Sequence, residues 1–215
     1  MRILLALLVF VLPVLTHAFV AVETDISQPY EVFPVENVLP DQTSYLGTLD
    51  NYPVMYEVRS EEAFIFTAQL RQPASSPSEP LALLLIRRND RGGGVTEIVR
   101  QNIDPADWSR ERDSLVGMSF LTAEVLEIDV EPGIYRLEVS SPNNLAQYML
   151  TVGDESIESG YFEQLGYARQ TQSYFGYGFF TMLRSSLVYY PIGILLLLGA
   201  FYQTWRFASK RRSDA

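Results

Sequence analysis

Cysteine does not occur in this 215-residue chain, and histidine occurs once, at His17. Without cysteine there are no disulfides, thiolate metal sites, cysteine-linked lipids or cysteine nucleophiles. Lysine is confined to Lys210. Sixteen basic residues stand against 26 acidic ones, a net charge of −10. Nucleic acid is excluded as a partner, because it requires a basic face against its phosphates. Disorder is excluded too, with 47% hydrophobic and 20% charged residues. Residues 19–183 carry ten arginines and 25 acids but no His, Cys or Lys. That removes the serine–histidine, cysteine–histidine and serine–lysine nucleophile systems and imidazole- or thiolate-bound zinc. No phosphate-cradling glycine loop precedes a helix; Gly92-Gly93-Gly94 after Asp90 reads as a hairpin turn. Carboxylates remain, and a pair of them could hydrolyse a glycoside. A solvated acidic surface is the preferred reading, and no enzyme is expected.

Both ends are apolar. Arg2, an apolar run over residues 3–15 and then Thr16-His17-Ala18 read as a secretion signal over residues 1–18. An uncleaved anchor is the alternative, although about 13 residues fall short of the ~20 that a span needs. Residues 185–205 contain no charge and are centred on Ile192-Gly193-Ile194-Leu195-Leu196-Leu197-Leu198. At ~1.5 Å per residue this run crosses a bilayer core of ~30 Å. Tyr189, Tyr190, Trp205 and Arg206 flank it at the headgroup level. Pro191 falls in the first turns, where a missing donor costs least. A buried core helix and a removable sorting tail are the alternatives. The tail over residues 206–215 has Arg206, Lys210, Arg211 and Arg212 against Asp214, so +3, whereas residues 19–183 carry −15. The basic side stays cytoplasmic and the acidic segment lies outside, in a periplasm, envelope or lumen.

Between residues 45 and 153 the pattern is strand-like. Val54, Tyr56 and Val58 alternate with Met55, Glu57 and Arg59, and Tyr135, Leu137 and Val139 with Arg136 and Glu138. Similar alternation around residues 64–69 and 126–130 gives half-buried antiparallel strands. Leu81-Ala82-Leu83-Leu84-Leu85-Ile86 is continuously apolar, as in a central strand packed on both faces. Turns at Pro77-Ser78-Glu79-Pro80, Glu131-Pro132-Gly133 and Ser141-Pro142-Asn143-Asn144 separate the runs. About eight strands predict a mainly β fold, an antiparallel sandwich of jelly-roll or immunoglobulin-like type, followed by one transmembrane helix. Residues 19–44 precede it as an N-terminal extension.

The run Tyr45-Leu46-Gly47-Thr48-Leu49-Asp50, then Val54-Met55-Tyr56-Glu57-Val58 and Phe64-Ile65-Phe66-Thr67-Ala68, resembles the opening of the bacterial pre-peptidase C-terminal domain. Glu131-Pro132-Gly133-Ile134-Tyr135 with Gln147-Tyr148-Met149-Leu150-Thr151-Val152 resembles its closing hairpin. The resemblance covers about half of the chain. It implies a β-sandwich of the kind found as accessories beside secreted enzymes, some of which bind calcium or polysaccharide. Here the expected membrane span, rather than a protease domain, adjoins the sandwich.

Eight of the twenty residues 161–180 are aromatic, interrupted by glycines. Phe175, Phe179 and Met182 have helical spacing. Residues 154–184 are expected to form a juxtamembrane stalk or an amphipathic helix on the outer leaflet. Packing against the sandwich is the alternative. Asp104-Pro105-Ala106-Asp107-Trp108 offers two acids beside a tryptophan, which suits calcium or a stacked sugar. A short helix capped by Asp104, with Trp108 packed on the sandwich, is the preferred reading. Asp50 at a turn is a further oxygen ligand or plain turn chemistry. No cofactor beyond calcium is a candidate. The expected partners are the lipid bilayer, a protein in the same envelope and, as an alternative, a glycan. The expected function is a non-catalytic, membrane-tethered binding or accessory module.

Overall fold

In a computed structural model, residues 20–213 are described apart from 25, 27, 36–41, 90–93 and 156–158, and for 207–213 the backbone path only. The expected secretion signal lies outside the described residues. Twelve strands are present among them, rather than eight. They form two sheets packed face to face. The larger runs β1 (Val20–Glu23), β3 (Thr43–Thr48), β12 (Gln147–Val152), β5 (Phe64–Pro73), β9 (Met118–Thr122), β8 (Ser109–Asp113), and β10 (Leu126–Val130) also pairs with β5. The smaller runs β2 (Val32–Pro34), β4 (Val54–Ser60), β11 (Gly133–Ser140), β6 (Leu81–Arg88), β7 (Val95–Ile103). The fold is mainly β, a sandwich of two mixed sheets.

Two expectations change. Residues 20–23 and 32–34 are strands of the sandwich rather than an extension ahead of it. They pair in parallel, β1 with β3 and β2 with β4, so the sheets are not purely antiparallel. A parallel pair needs a crossover, and the chain leaves one sheet for the other between these strands. Every other pairing is antiparallel.

Inward-facing residues of both sheets make the main core: Tyr56, Val58, Phe66, Leu70, Leu83, Leu85, Leu137, Val139 and Leu150 are each at most 2% exposed. The apolar run at residues 81–86 does not pack on both faces. Leu81, Leu83 and Leu85 are buried, whereas Ala82, Leu84 and Ile86 are half-buried on an outer face that no element among the described residues covers. Two-sided burial occurs in β3 and β12 instead, where five consecutive residues of each are buried. The reason is a third layer, the helix α1 (Tyr161–Tyr174), laid on the outer face of the larger sheet. Leu46, Met118, Phe120 and Met149 point outward from that sheet and pack with Val116 and Phe175 beneath α1.

A 3-10 helix (Phe179–Arg184) leads from α1 into α2 (Ser186–Ser213). Over Ser186–Arg206, α2 is long and apolar enough to cross a membrane, and it is almost wholly exposed.

Candidate functional site

The helix α1 is built for docking, although its sequence is not amphipathic. Its buried face is Gln164, Ala168, Thr171 and Gln172. Those positions have the 3.6-residue spacing of a packed stripe, filled with small and polar side chains. Some of their polar atoms find partners, whereas the amide oxygens of Gln164 and Gln172 are buried without one. Gln172 Nε2 donates to the Val116 carbonyl at 2.6 Å, and Thr171 Oγ1 donates to Tyr167 at 2.9 Å. Glu163 accepts from the Gly160 amide at 3.0 Å, closing the first turn where a negative charge meets the helix dipole. Gly176, at φ +76°, ends the helix. Its amide donates to Ser173, and the Tyr177 amide donates to Gln172, the pairing of a Schellman turn.

That turn corrects one expectation. Phe175 does not continue a helical face with Phe179 and Met182, and it does not face lipid. It is 8% exposed and packs edge-on to Phe120 at 5.9 Å between centroids. Residues 161–177 form a docked layer on the sandwich, the alternative to a free stalk.

The chain then returns along α1 to the β8–β9 turn, where sandwich, α1 and α2 meet. Ser185 is fully buried, and its hydroxyl donates to the Leu115 carbonyl. The Ser186 amide donates to Ser114 at 2.8 Å. Ala168, Met182 and Leu187 form a small buried cluster with Leu115, Tyr161 and Leu165 against it. Gly117 is required twice over: its φ is +74°, and a Cβ there would stand 2.6 Å from the Ser185 amide nitrogen.

Pro191 is the sixth residue of α2, so its missing N–H does matter. The group left without a helical donor is the carbonyl four residues back, Leu187. The Tyr161 hydroxyl donates to that carbonyl at 2.6 Å. A side chain of α1 thus completes the first turns of α2.

The remaining residues expected at a membrane interface lie near this root, except Trp205 and Arg206, which stand at the far end of the apolar stretch of α2. Phe179 is 71% exposed, Tyr190 55% and Trp205 63%. Tyr189 and Arg206 are exposed as well. The tyrosine rings lie 4.4 Å apart. Sequence reasoning passes over Phe162 and Phe180, which are more exposed than Phe179, and Leu183, which is about half exposed. The aromatic density of residues 161–180 was the signal for them.

Two of the three candidate calcium ligands, Asp107 and Asp50, make local hydrogen bonds with their carboxylates. Asp107 Oδ2 accepts from the Asp104 amide at 3.0 Å, and the Asp107 amide donates to the Asp104 carbonyl at 2.9 Å. This is a turn between β7 and β8, not the expected short helix; the bonds close over four residues and the chain re-enters a strand at Ser109. Asp50 Oδ1 accepts from Asn51 Nδ2 at 2.8 Å, on the rim of an open cleft of about 500 Å³ with Thr24, Ile26 and Leu145. Among the described residues, no three of His, Cys, Asp or Glu group as a metal site. Trp108 is half-buried against the main core, and its indole N–H donates to the Glu79 carbonyl at 3.1 Å.

Titration separates two further groups. Burial raises Glu57, but hydrogen bonds and charges from Arg59, Arg88 and Arg136 outweigh it and leave the carboxyl below its ordinary range. In the core, Tyr56 and Tyr148 share a hydroxyl bond of 2.9 Å, and Thr24 adds another to Tyr56 at 3.0 Å. Burial pushes both phenols well above the ordinary value of 10.0.

The fold and the root of α2 together define a β-sandwich with a docked helix and an exposed apolar helix leading from it. No family model matches the chain, and no curated protein matches it. Solved structures similar to it include the Yersinia pseudotuberculosis-derived mitogen, with 16% identity over 56% of this chain and 92% of that one, at a TM-score of 0.39. The pre-peptidase C-terminal domain of collagenase from Bacillus anthracis is similar at 12% identity and a TM-score of 0.36, over 60% of this chain and 98% of that one. A CBM35 module from Cellvibrio japonicus Abf62 is similar at 14% identity and 0.26, over 53% and 74%. The resemblance to the pre-peptidase C-terminal domain is therefore met in structure without a matching family model. At these values it describes architecture and nothing more.

Proposed function

We propose that this chain is a non-catalytic, single-pass envelope protein. Its sandwich lies outside and acts as a binding or accessory module for a protein partner in the same envelope. The observation that carries the reading is the root of α2. Ser185, Ser186 and Leu187 are buried at the β8–β9 turn, so the module and the apolar helix are joined through packed structure. A flexible linker would suit a roaming domain; a packed joint suits one held at a fixed height and orientation on a membrane.

The non-catalytic part is supported by the absence of His, Cys and Lys from residues 19–183. A carboxylate acting as general acid needs a raised pKa. Glu57, in its arginine cluster, is displaced the other way. The glycan and calcium readings have less support, because Trp108 anchors the Glu79 loop and Asp50 and Asp107 hold their own turns.

The test uses the full chain in its native membrane. A photo-reactive residue placed at Leu84, on the uncovered sheet face, or at Leu196, on the exposed side of α2, is expected to trap one reproducible protein partner. A clean monomer from both positions would overturn the partner reading. A melting temperature that climbs with calcium would favour the metal-binding alternative.

A further inference from the structure

Four large apolar side chains on the two elements that flank the root of α2 are exposed. Phe162 is 82% exposed, Phe179 71%, Phe180 81% and Leu183 52%. They come from two elements that converge there. Phe162 follows Tyr161, whose hydroxyl binds Leu187 in the first turns of α2. Phe179, Phe180 and Leu183 belong to the 3-10 helix, which Ser185 alone separates from α2. Isolated exposed apolar residues are ordinary, but several together at one place mark an interaction surface.

Cations share the position. Arg112 Nη2 donates to the Arg184 carbonyl at 3.4 Å, and both side chains are exposed. The Arg169 guanidinium lies 5.9 Å from the centre of the Phe179 ring. Glu163, the acid of the first turn of α1, is tied to the Gly160 amide. In a segment of strongly negative charge, this root presents aromatic rings with arginines beside them.

We propose that Phe162, Phe179, Phe180 and Leu183 form a collar that inserts into the lipid leaflet next to the sandwich. The occupant of this surface is the headgroup–acyl boundary of the bilayer that α2 crosses, so the inference rests on the spanning reading. Continuity selects lipid. Leu183 stands three residues before Ser186, so the collar adjoins the exposed apolar surface of α2 and cannot leave the leaflet to which that helix is fixed. Phenylalanine and leucine suit the acyl side of that boundary, and arginines reach from it to phosphates. The collar seats the sandwich on the membrane at a set tilt.

The absence of cysteine makes the test direct. Single cysteines replace Phe162, Phe180, Leu197 and Val95 in the full chain. Each is labelled with an environment-sensitive nitrobenzoxadiazole dye and reconstituted in phosphatidylcholine–phosphatidylglycerol vesicles. Labels at 162 and 180 are expected to emit several-fold more strongly than in water. Lipids with a nitroxide near the headgroup should quench them. The Leu197 label should respond to a deep nitroxide, and the Val95 label to aqueous iodide alone. Labels at 162 and 180 that follow iodide while 197 stays in lipid would overturn the collar and leave the span standing. Labels shielded from both quenchers would overturn it in favour of a protein cover. A Leu197 label open to iodide would overturn the spanning reading and the collar with it.

Discussion

The two sheets of this sandwich share a core but have opposite outer faces. The larger sheet carries α1 on its outside, so β3 and β12 are buried on both sides. The smaller sheet leaves Met55, Ala82, Leu84 and Ile86 half-exposed, set among Glu57, Arg136 and Glu138. Nothing in the strand-forming tendency of either sheet accounts for this. Residues 161–188 do, because they fold back on one sheet and in doing so fix the root of α2. Covering one face is the means by which the sandwich holds its helix, and the other face stays available.

The sharpest way to break the comparison is to place a charge on each outer face in the full chain in detergent. Leu46 is fully buried under α1. Leu46→Asp strands an unpaired carboxylate there and should cost about 4 kcal/mol or prevent folding. Leu84→Asp sits on the half-exposed face and should cost about 1 kcal/mol or less. Chemical denaturation followed by circular dichroism measures both. Equal losses would mean that the two faces are equally closed.

The next effect lies in the joint. Gly117→Ala meets an unfavourable positive φ and the backbone of Arg184 and Ser185 together. A loss of about 2–3 kcal/mol is expected. Limited proteolysis should show new cleavage between residues 176 and 186 before the sandwich itself is cut. Cleavage spread evenly over the chain would mean that Gly117 serves the β8–β9 turn and not the joint.

Much of this arrangement was legible in the residues, and the remainder was hidden for definite reasons. Strands β4, β5, β10 and β11 alternate because each has one solvated or rim-facing side, and period two reveals that. The cover stands in the sequence only as the alternative to a free stalk, because its buried stripe is Gln164, Ala168, Thr171 and Gln172, which shows no apolar periodicity. The spacing of Phe175, Phe179 and Met182 suggested one helix, but Gly176 breaks it, and only the left-handed turn explains where each ring goes. Trp108 packs on the sandwich as its position after Asp107 suggests; the turn in front of it merely fails to reach helical length. The parallel entry of β1 and β2 had no local signal, since pairing direction is a property of partners and not of a strand.

A smaller effect tests the link between the cover and α2. Tyr161→Phe removes the one hydroxyl that meets the Leu187 carbonyl left open by Pro191. An unmet buried acceptor should cost about 1–2 kcal/mol. Combining it with Pro191→Ala restores a backbone donor, and the double variant should recover most of that loss. Independent, additive losses would show that the two residues do not share the carbonyl.

The smallest effect concerns what the two sheets have in common. Tyr148 belongs to the larger sheet and Tyr56 to the smaller, and their hydroxyls join across the core at 2.9 Å. Burial raises both phenols, so the folded state keeps protons that the unfolded chain releases above its ordinary value of 10.0. Their contribution is complete below that pH and is lost as pH rises through and beyond it. Stability at pH 11 should therefore be lower than at pH 8 by more than at any pair of points between 6 and 9. Tyr148→Phe keeps the ring over Gly47, where a Cβ would collide with it, and removes one titrating group. It should cost about 1 kcal/mol at pH 8 while flattening the alkaline fall. An alkaline fall unchanged in the variant would move its cause away from this pair to the exposed tyrosines of the covering layer.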